Sequence, residues 1–452
     1  MANKNFAHLE SIYRNYDIRG KYPEEITDEE VEKIGRAIVP LFSLKKVAVG
    51  YDVRPSSLPL RNALIKGLTE SGCHVVDLGL VTTPMTYYVC GTTDVDATVM
   101  ITASHMPPEF NGLKISIEDA KPVTADKLQE IKKIVGEHTF SKTETIGVTE
   151  EKSPLLDWRA KFKNAHSFSG RPLKVVIDSA NMIGGLEVET FRQFEPALEV
   201  YAIYEEFAPH APAHEANPMK HETMYDLAVE VINLQADIGI AFDGDADRVG
   251  FVDETGAVVP ADIAGALIAR KILKDNPGGI VVYDPRSSKS LKEEIEKYGG
   301  VPYEWKVGHS NIRTKMRERN ALMGIELAAH YFFKESHFSE AGPLPAFLLL
   351  ELIQESDKTL SALVAEVKKY YHSGEINSEI NLTVETIYQT LREKYANAQH
   401  ISEIDGLKFA FPTWWFNVRP SANDPVLRLN IEADTELEMQ EKRDELLQII
   451  RG

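Results

Sequence analysis

The sequence predicts an α/β protein of repeated domains, closed by a smaller α+β unit. Three observations carry this reading. Strand-like and helix-like stretches alternate as far as Tyr370, a short pattern at Val49–Ser57 returns at Val282–Ser288, and beyond Tyr371 strands come first and a helix last. At 452 residues the chain is too long for one core and suggests three or four domains, which an apolar share of 43% can fill.

Thr27 and Glu30 form the Thr-x-x-Glu pattern of a capping box, opening a helix with Val31, Ile34 and Ile38 on one face. Strands are predicted at Val47 to Val49 and His74 to Leu78, with a helix over 58–69 between them, and Ala97 to Ile101 is a further apolar run. Leu173 to Ile177 begins a second series that ends in Ile238 to Phe242. Asn276-Pro-Gly-Gly279 punctuates the chain before a third, starting at Ile280 to Tyr283. Val49-Gly-Tyr51-Asp52-Val-Arg54-Pro-Ser56-Ser57 is echoed by Val282-Tyr283-Asp284-Pro-Arg286-Ser287-Ser288. Both read as strand, Asp-x-Arg and Ser-rich helix start; duplicated domains would give this, and so would chance agreement of two generic strand ends. Thr435 to Ile450 is the final helix. The boundaries that follow are 1–150, 151–256, 257–370 and 371–452.

No run of eighteen apolar residues occurs and the first twenty are polar and charged, so neither a membrane span nor a secretory signal is expected. Cys73 and Cys90 are the only cysteines, which argues against a disulfide framework and suits a reducing cytoplasm. A net charge of −19 disfavours nucleic acid as a partner. It also opposes any phosphorylated ligand, whose binding would need local cations such as Arg19, Lys114, Arg248 and Arg419.

Asp243-Gly-Asp245-Ala-Asp247-Arg248 directly follows the apolar run Ile238, Ile240, Phe242. Three carboxylates at alternate positions past a buried strand can converge on one hard cation. Glu254 stands twelfth from Asp243, as in a calcium loop, but Arg248 occupies the sixth position, where that loop needs Gly. The flanks also read as strands and a turn rather than helices. Thr102-Ala-Ser104-His105-Met-Pro-Pro-Glu-Phe-Asn111-Gly112-Leu-Lys114 likewise follows an apolar run, which places Ser104 on a turn. With His105 beside it and Lys114 ten residues on, Ser104 is either an activated or phosphorylated hydroxyl or a helix-capping serine in a Pro-rich turn. No G-x-S-x-G elbow accompanies it.

These two segments resemble the phosphoserine loop and magnesium loop of the α-D-phosphohexomutases, of the phosphomannomutase/phosphoglucomutase type. Tyr16-Asp17-Ile18-Arg19-Gly20, Gly324-Ile325-Glu326-Leu-Ala-Ala-His330 and Phe416-Asn417-Val418-Arg419-Pro-Ser421-Ala-Asn423 are similar to three further family motifs, in the family's order. The resemblance implies three α/β domains with mixed sheets and a C-terminal α+β domain around a central cleft. It implies reversible phosphoryl transfer between hexose 1-phosphate and hexose 6-phosphate, of mannose or glucose, through a phosphoserine and a bisphosphorylated sugar. Mg2+ would be held by Ser104, Asp243, Asp245 and Asp247, and hexose 1,6-bisphosphate would serve as intermediate and activator.

Lys114 and His309 are the candidate acid/base groups, supported by His105 and Arg19. Tyr16, Arg248, Arg286, Glu326, His330, Arg419, Ser421 and Asn423 would bind the phosphosugar, with Arg428 nearer to a structural strand position. The chain departs from the family pattern in three places. Ala328-Ala329 replaces Ser-Gly, Ser421-Ala422-Asn423-Asp424 replaces Ser-Asn-Thr-Glu, and Met106 replaces Asn. His210, His214 and His221 match no ligand spacing and read as a loop flanking the site. Trp414-Trp415 reads as sheet packing. A metal-dependent phosphatase and an idle sugar-phosphate binder are the rival classes; a separate distal phosphate loop argues against the first, and retention of Ser104, the three acids and Lys114 against the second. A monomer or homodimer is expected.

Overall fold

The computed structural model describes residues 9–14, 17–140, 143, 145–421 and 426–452. Four sheets follow one another along the chain. In the first, Lys46–Tyr51, His74–Leu80 and Ala97–Ile101 run parallel, and Phe110–Ile117 returns antiparallel to Ala97–Ile101. In the second, Leu173–Asp178, Leu198–Ile203 and Ile238–Phe242 are parallel and Val249–Asp253 turns back. In the third, Ile280–Tyr283, Val301–Glu304 and Met323–Glu326 are parallel and His330–Phe333 turns back. Each sheet is therefore mixed, with one hairpin appended to a parallel set. The turns of these hairpins hold Ser104, the acidic run at Asp243–Arg248, and Leu327–Ala329. Three motifs with no sequence in common thus occupy the same place in three copies of one design.

The strand-end repeat is a real structural element. Asp52 Oδ1 accepts from Arg54 N at 3.0 Å, and Asp284 Oδ1 accepts from Arg286 N at 2.9 Å. The middle copy keeps the turn, with Ala180 N donating to Asp178 Oδ1 at 2.8 Å, but its charge partner is His214 Nε2 at 3.0 Å. His214 is thereby spent on a strand end, which agrees with the loop reading of the histidine cluster.

The capping box forms as expected, and Val31, Ile34 and Ile38 are fully buried against the first sheet's core. The helix expected over 58–69 is Ser57–Glu70. One continuous apolar core joins the first three sheets, running from Val76 and Met85 through Trp158 and Phe347 to Ile325. Burial on this scale favours holding the three units as one body, at about 25 cal/mol per Å² of apolar surface removed from water.

The fourth sheet is antiparallel, with its own core around Phe409, Phe416 and Ile431. Its order corrects the strands-first expectation, because the helix Val384–Lys394 comes between strands. Thr383 caps that helix and only Ile387 and Leu391 bury fully, so its apolar stripe is short. Trp414 lies in this core, and buried Trp415 donates Nε1–H to Glu432 at 2.7 Å; both are packing residues, as read. Among the described residues, no helix is long and apolar enough to cross a membrane.

Candidate active site

A cleft of about 1620 Å³ is walled by all four units. Ser104 and Lys114 line it from the first, Asp247 and Arg248 from the second, Glu326 and His330 from the third, Arg419 and Ser421 from the fourth.

Ser104 sits three residues beyond the bonded end of Ala97–Ile101, with φ 53°. Thr102 Oγ1 accepts from Ser104 N at 2.9 Å, which fixes this left-handed turn. The guanidinium of Arg54, itself paired to Asp52, donates to the carbonyls of Ser104 (2.6 Å), Met106 (2.7 Å), Pro107 (2.7 Å) and Phe110 (3.0 Å). One buried cation therefore shapes the whole serine loop. Its Asp-x-Arg pattern is visible in the sequence; its reach to the loop is not.

The Ser104 hydroxyl donates to Asp243 Oδ2 at 2.7 Å and lies 3.3 Å from His105 Nδ1. Asp243, Asp245 and Asp247 are buried, each offering an oxygen within 4.8 Å of the others. Asp245 Oδ1 and Asp247 Oδ1 are buried without a hydrogen-bond partner. Three clustered carboxylates with orphaned oxygens are an unstable arrangement unless a cation joins them, and an all-oxygen donor set suits a hard one. Burial, with Asp247 and Asp245 close by, raises Asp243 to about 7. Thr83 donates both its hydroxyl and its amide to Asp245, tying the acidic loop to the first unit. Glu254, the twelfth residue of the apparent calcium loop, instead holds Ser361 N at 3.1 Å, far from a ligand role.

Lys114 Nζ bridges Asp245 Oδ2 at 2.6 Å and Asp247 Oδ2 at 2.5 Å. Burial would discharge it, but these carboxylates outweigh burial and hold it well above the ordinary lysine range. His309 begins the helix His309–Arg319 and is half-buried, and burial lowers it to about 4. The charge of Arg248, with burial, drives His105 down to about 2. Arg19 pairs with Asp17 on the strand neighbouring Lys114's.

Arg248 Nε donates to His330 Nε2 at 3.0 Å, which leaves the proton of a neutral imidazole on Nδ1. Nδ1 faces Asp247 at 3.7 Å and Glu340 at 3.4 Å. Buried Glu340 was not foreseen, and nothing local in the sequence announces it. Glu326 is buried and accepts from Gly308 N at 2.6 Å. Ala329 takes φ 63°, and its carbonyl accepts from Val249 N at 3.2 Å.

Arg286 lines the cleft but donates to both oxygens of Asp284, at 3.0 and 2.7 Å, and to Glu375 at 3.2 Å. Arg419 Nη2 meets the same Glu375 at 2.9 Å. Arg428 lies in the strand Leu427–Ala433, as expected. It lines the cleft, donating to Ser421 Oγ at 2.9 Å and to Glu375 at 3.0 Å. Tyr16, Ala422, Asn423 and Asp424 lie outside the described residues.

Family models of "Phosphoglucomutase/phosphomannomutase" match in succession: alpha/beta/alpha domain I at residues 10–142, domain II at 157–256, domain III at 260–370 and the C-terminal domain at 359–449. A phosphomannomutase of Escherichia coli is 33% identical over 98% of this chain and 99% of its own length. The chain belongs to the phosphoglucomutase/phosphomannomutase family. A phosphomannomutase/phosphoglucomutase of Pseudomonas aeruginosa is 34% identical over 95% of this chain and 93% of its own. A family structure from Burkholderia thailandensis superposes with a TM-score of 0.89 at 28% identity, covering 97% of each chain. The mixed-sheet architecture of three α/β units and a C-terminal domain is the architecture of this family.

Proposed function

We propose that this protein interconverts hexose 1-phosphates and hexose 6-phosphates, of mannose or glucose, through a phosphoserine at Ser104. The observation that carries the reading is the Ser104–Asp243 hydrogen bond at the rim of three buried carboxylates, across one cleft from Arg419 and Arg428. A nucleophilic oxygen beside a cation site at one end and guanidiniums at the other match a ligand with two phosphate positions.

Asp243, Asp245 and Asp247, with an oxygen of phosphorylated Ser104, would hold Mg2+. Bound there, a divalent cation withdraws charge from the phosphoryl group. In the forward transfer, the free hydroxyl of the sugar forms an O–P bond as the P–Oγ bond to Ser104 breaks. His309, neutral at pH 7, takes the hydroxyl proton, and Lys114, held charged, supplies one to Oγ. The bisphosphorylated sugar turns end for end, and Ser104 recovers a phosphoryl group from the other oxygen with proton roles reversed. His105 and Arg19 support the serine end. Glu326 accepts from sugar hydroxyls, His330 and Arg248 face the same cleft, and Arg419 with Ser421 anchors the phosphate that is not reacting. Added hexose 1,6-bisphosphate would load Ser104.

A coupled assay of glucose, mannose and glucosamine 1-phosphates side by side tests the substrate class, with intact-mass analysis for phosphate on Ser104. Conversion of the first two together with a Ser104 adduct is expected. A chain that stays unmodified after hexose 1,6-bisphosphate treatment sinks the mechanism.

A further inference from the structure

Arg419 and Arg428 stand directly opposite each other on paired strands. Like charges in that position repel unless an anion lies between them. Glu375 is that anion. Its Oε2 meets Arg419 at 2.9 Å and Arg286, from the third unit, at 3.2 Å, while Oε1 meets Arg428 at 3.0 Å. The backbone brings it there by a bulge. His372 pairs with Glu432 and Ile376 with Leu429, so the three residues Ser373, Gly374 and Glu375 oppose the two residues Asn430 and Ile431, with Gly374 at φ 69°. A carboxylate offered to guanidinium forks has two oxygens placed as two of a phosphate's would be.

We propose that Glu375 is a displaceable counter-anion of the distal phosphate clamp. It neutralises Arg419 and Arg428 while the clamp is empty, and it yields them, keeping Arg286, when a phosphate arrives. This rests on the distal-anchor role given to Arg419 above. The consequence is kinetic. The bisphosphorylated sugar must leave the clamp and re-enter it turned round, and a resident carboxylate competing for the same forks shortens each stay. Because Arg286 belongs to the third unit, the same carboxylate also links the fourth unit to the rest, whether or not a ligand is bound.

The test is calorimetric binding of inorganic phosphate to the wild-type protein and to Glu375→Gln, with steady-state kinetics on glucose 1-phosphate. Removing the competitor should tighten phosphate binding by about tenfold. KM should fall together with kcat, because release slows; a merely structural loss would raise KM instead. Glu375→Asp keeps the charge but withdraws it by one methylene, so its phosphate affinity should fall between the two. Unchanged or weaker phosphate binding in Glu375→Gln, or Glu375→Asp binding no tighter than wild type, overturns the inference. Arg419→Ala separates the two readings. If it loses phosphate affinity while Glu375→Gln does not gain any, only the counter-anion fails; if it loses none, the anchor itself is wrong.

Discussion

The backbone carbonyl of Ser104 lies where a Cβ on Gly244 would stand, at 2.2 Å. The serine loop of the first unit and the acidic loop of the second therefore touch backbone to backbone, which lets the Ser104 hydroxyl reach Asp243 at 2.7 Å. Only glycine permits that approach. Gly244→Ala should push the loops apart, destabilise the protein by about 1–3 kcal/mol, and reduce phosphoryl loading of Ser104. Denaturant midpoints and intact mass after hexose 1,6-bisphosphate treatment measure the two effects; a fully loaded, equally stable variant would contradict the contact.

Ser104→Ala removes the oxygen proposed to carry phosphate and leaves the proposed distal clamp intact. Turnover and the phosphoryl adduct should vanish, while calorimetric affinity for glucose 6-phosphate stays close to wild type. Retained turnover would move the chemistry to another residue.

The cation site should respond to pH in one direction. Asp243 is raised to about 7 by burial and by its two neighbours, and a hard cation needs it ionised. Binding below pH 7 must therefore expel a proton. Apparent Mg2+ affinity should fall about tenfold for each pH unit below 7 and level off above it, with one proton released. Titration in buffers of different ionisation enthalpy counts that proton. Asp245→Asn should lose most Mg2+ binding and turnover while keeping its melting midpoint, and EDTA should silence the wild-type protein. Full metal-free activity would exclude the site.

Arg419→Ala tests the distal anchor. One residue that grips whichever phosphate is not reacting must serve both substrates alike. Calorimetric affinity for glucose 1-phosphate and for glucose 6-phosphate should fall by similar amounts, about 1.5–3 kcal/mol each. A loss confined to one of the two ligands would show that the sugar phosphate is held there in one orientation only.

Ala329 holds φ 63° in the turn between Met323–Glu326 and His330–Phe333, where a Cβ costs about 1–2 kcal/mol. Ala329→Gly should relieve that strain, offset in part by about 0.4–1 kcal/mol of added freedom in the unfolded chain. A net gain near 0.5–1 kcal/mol is expected in denaturant unfolding. A clear loss would mean that the methyl group packs usefully against its surroundings.

The sequence alone determined what lies close along the chain. Thr27 and Glu30 announced a capping box because its two hydrogen bonds span three residues. Ala97–Ile101 and Ile238–Phe242 announced buried strands because a strand covered on both faces must be apolar throughout. The three aspartates were legible as a cation-binding pattern from their spacing, whereas for Ser104, with Lys114 ten residues on, the residues left two readings open and the family resemblance chose between them. The helix Val384–Lys394 was missed because its fully buried stripe is only Ile387 and Leu391. Tertiary structure alone decided which distant charges meet. Arg54 meets the carbonyls of the serine loop within the first unit, Glu340 meets His330 within the third, and Glu375 meets Arg286, Arg419 and Arg428 where the third and fourth units face one cleft. Charges pair by distance in space, and the hairpin turns of these sheets set those distances through packing that no local pattern encodes.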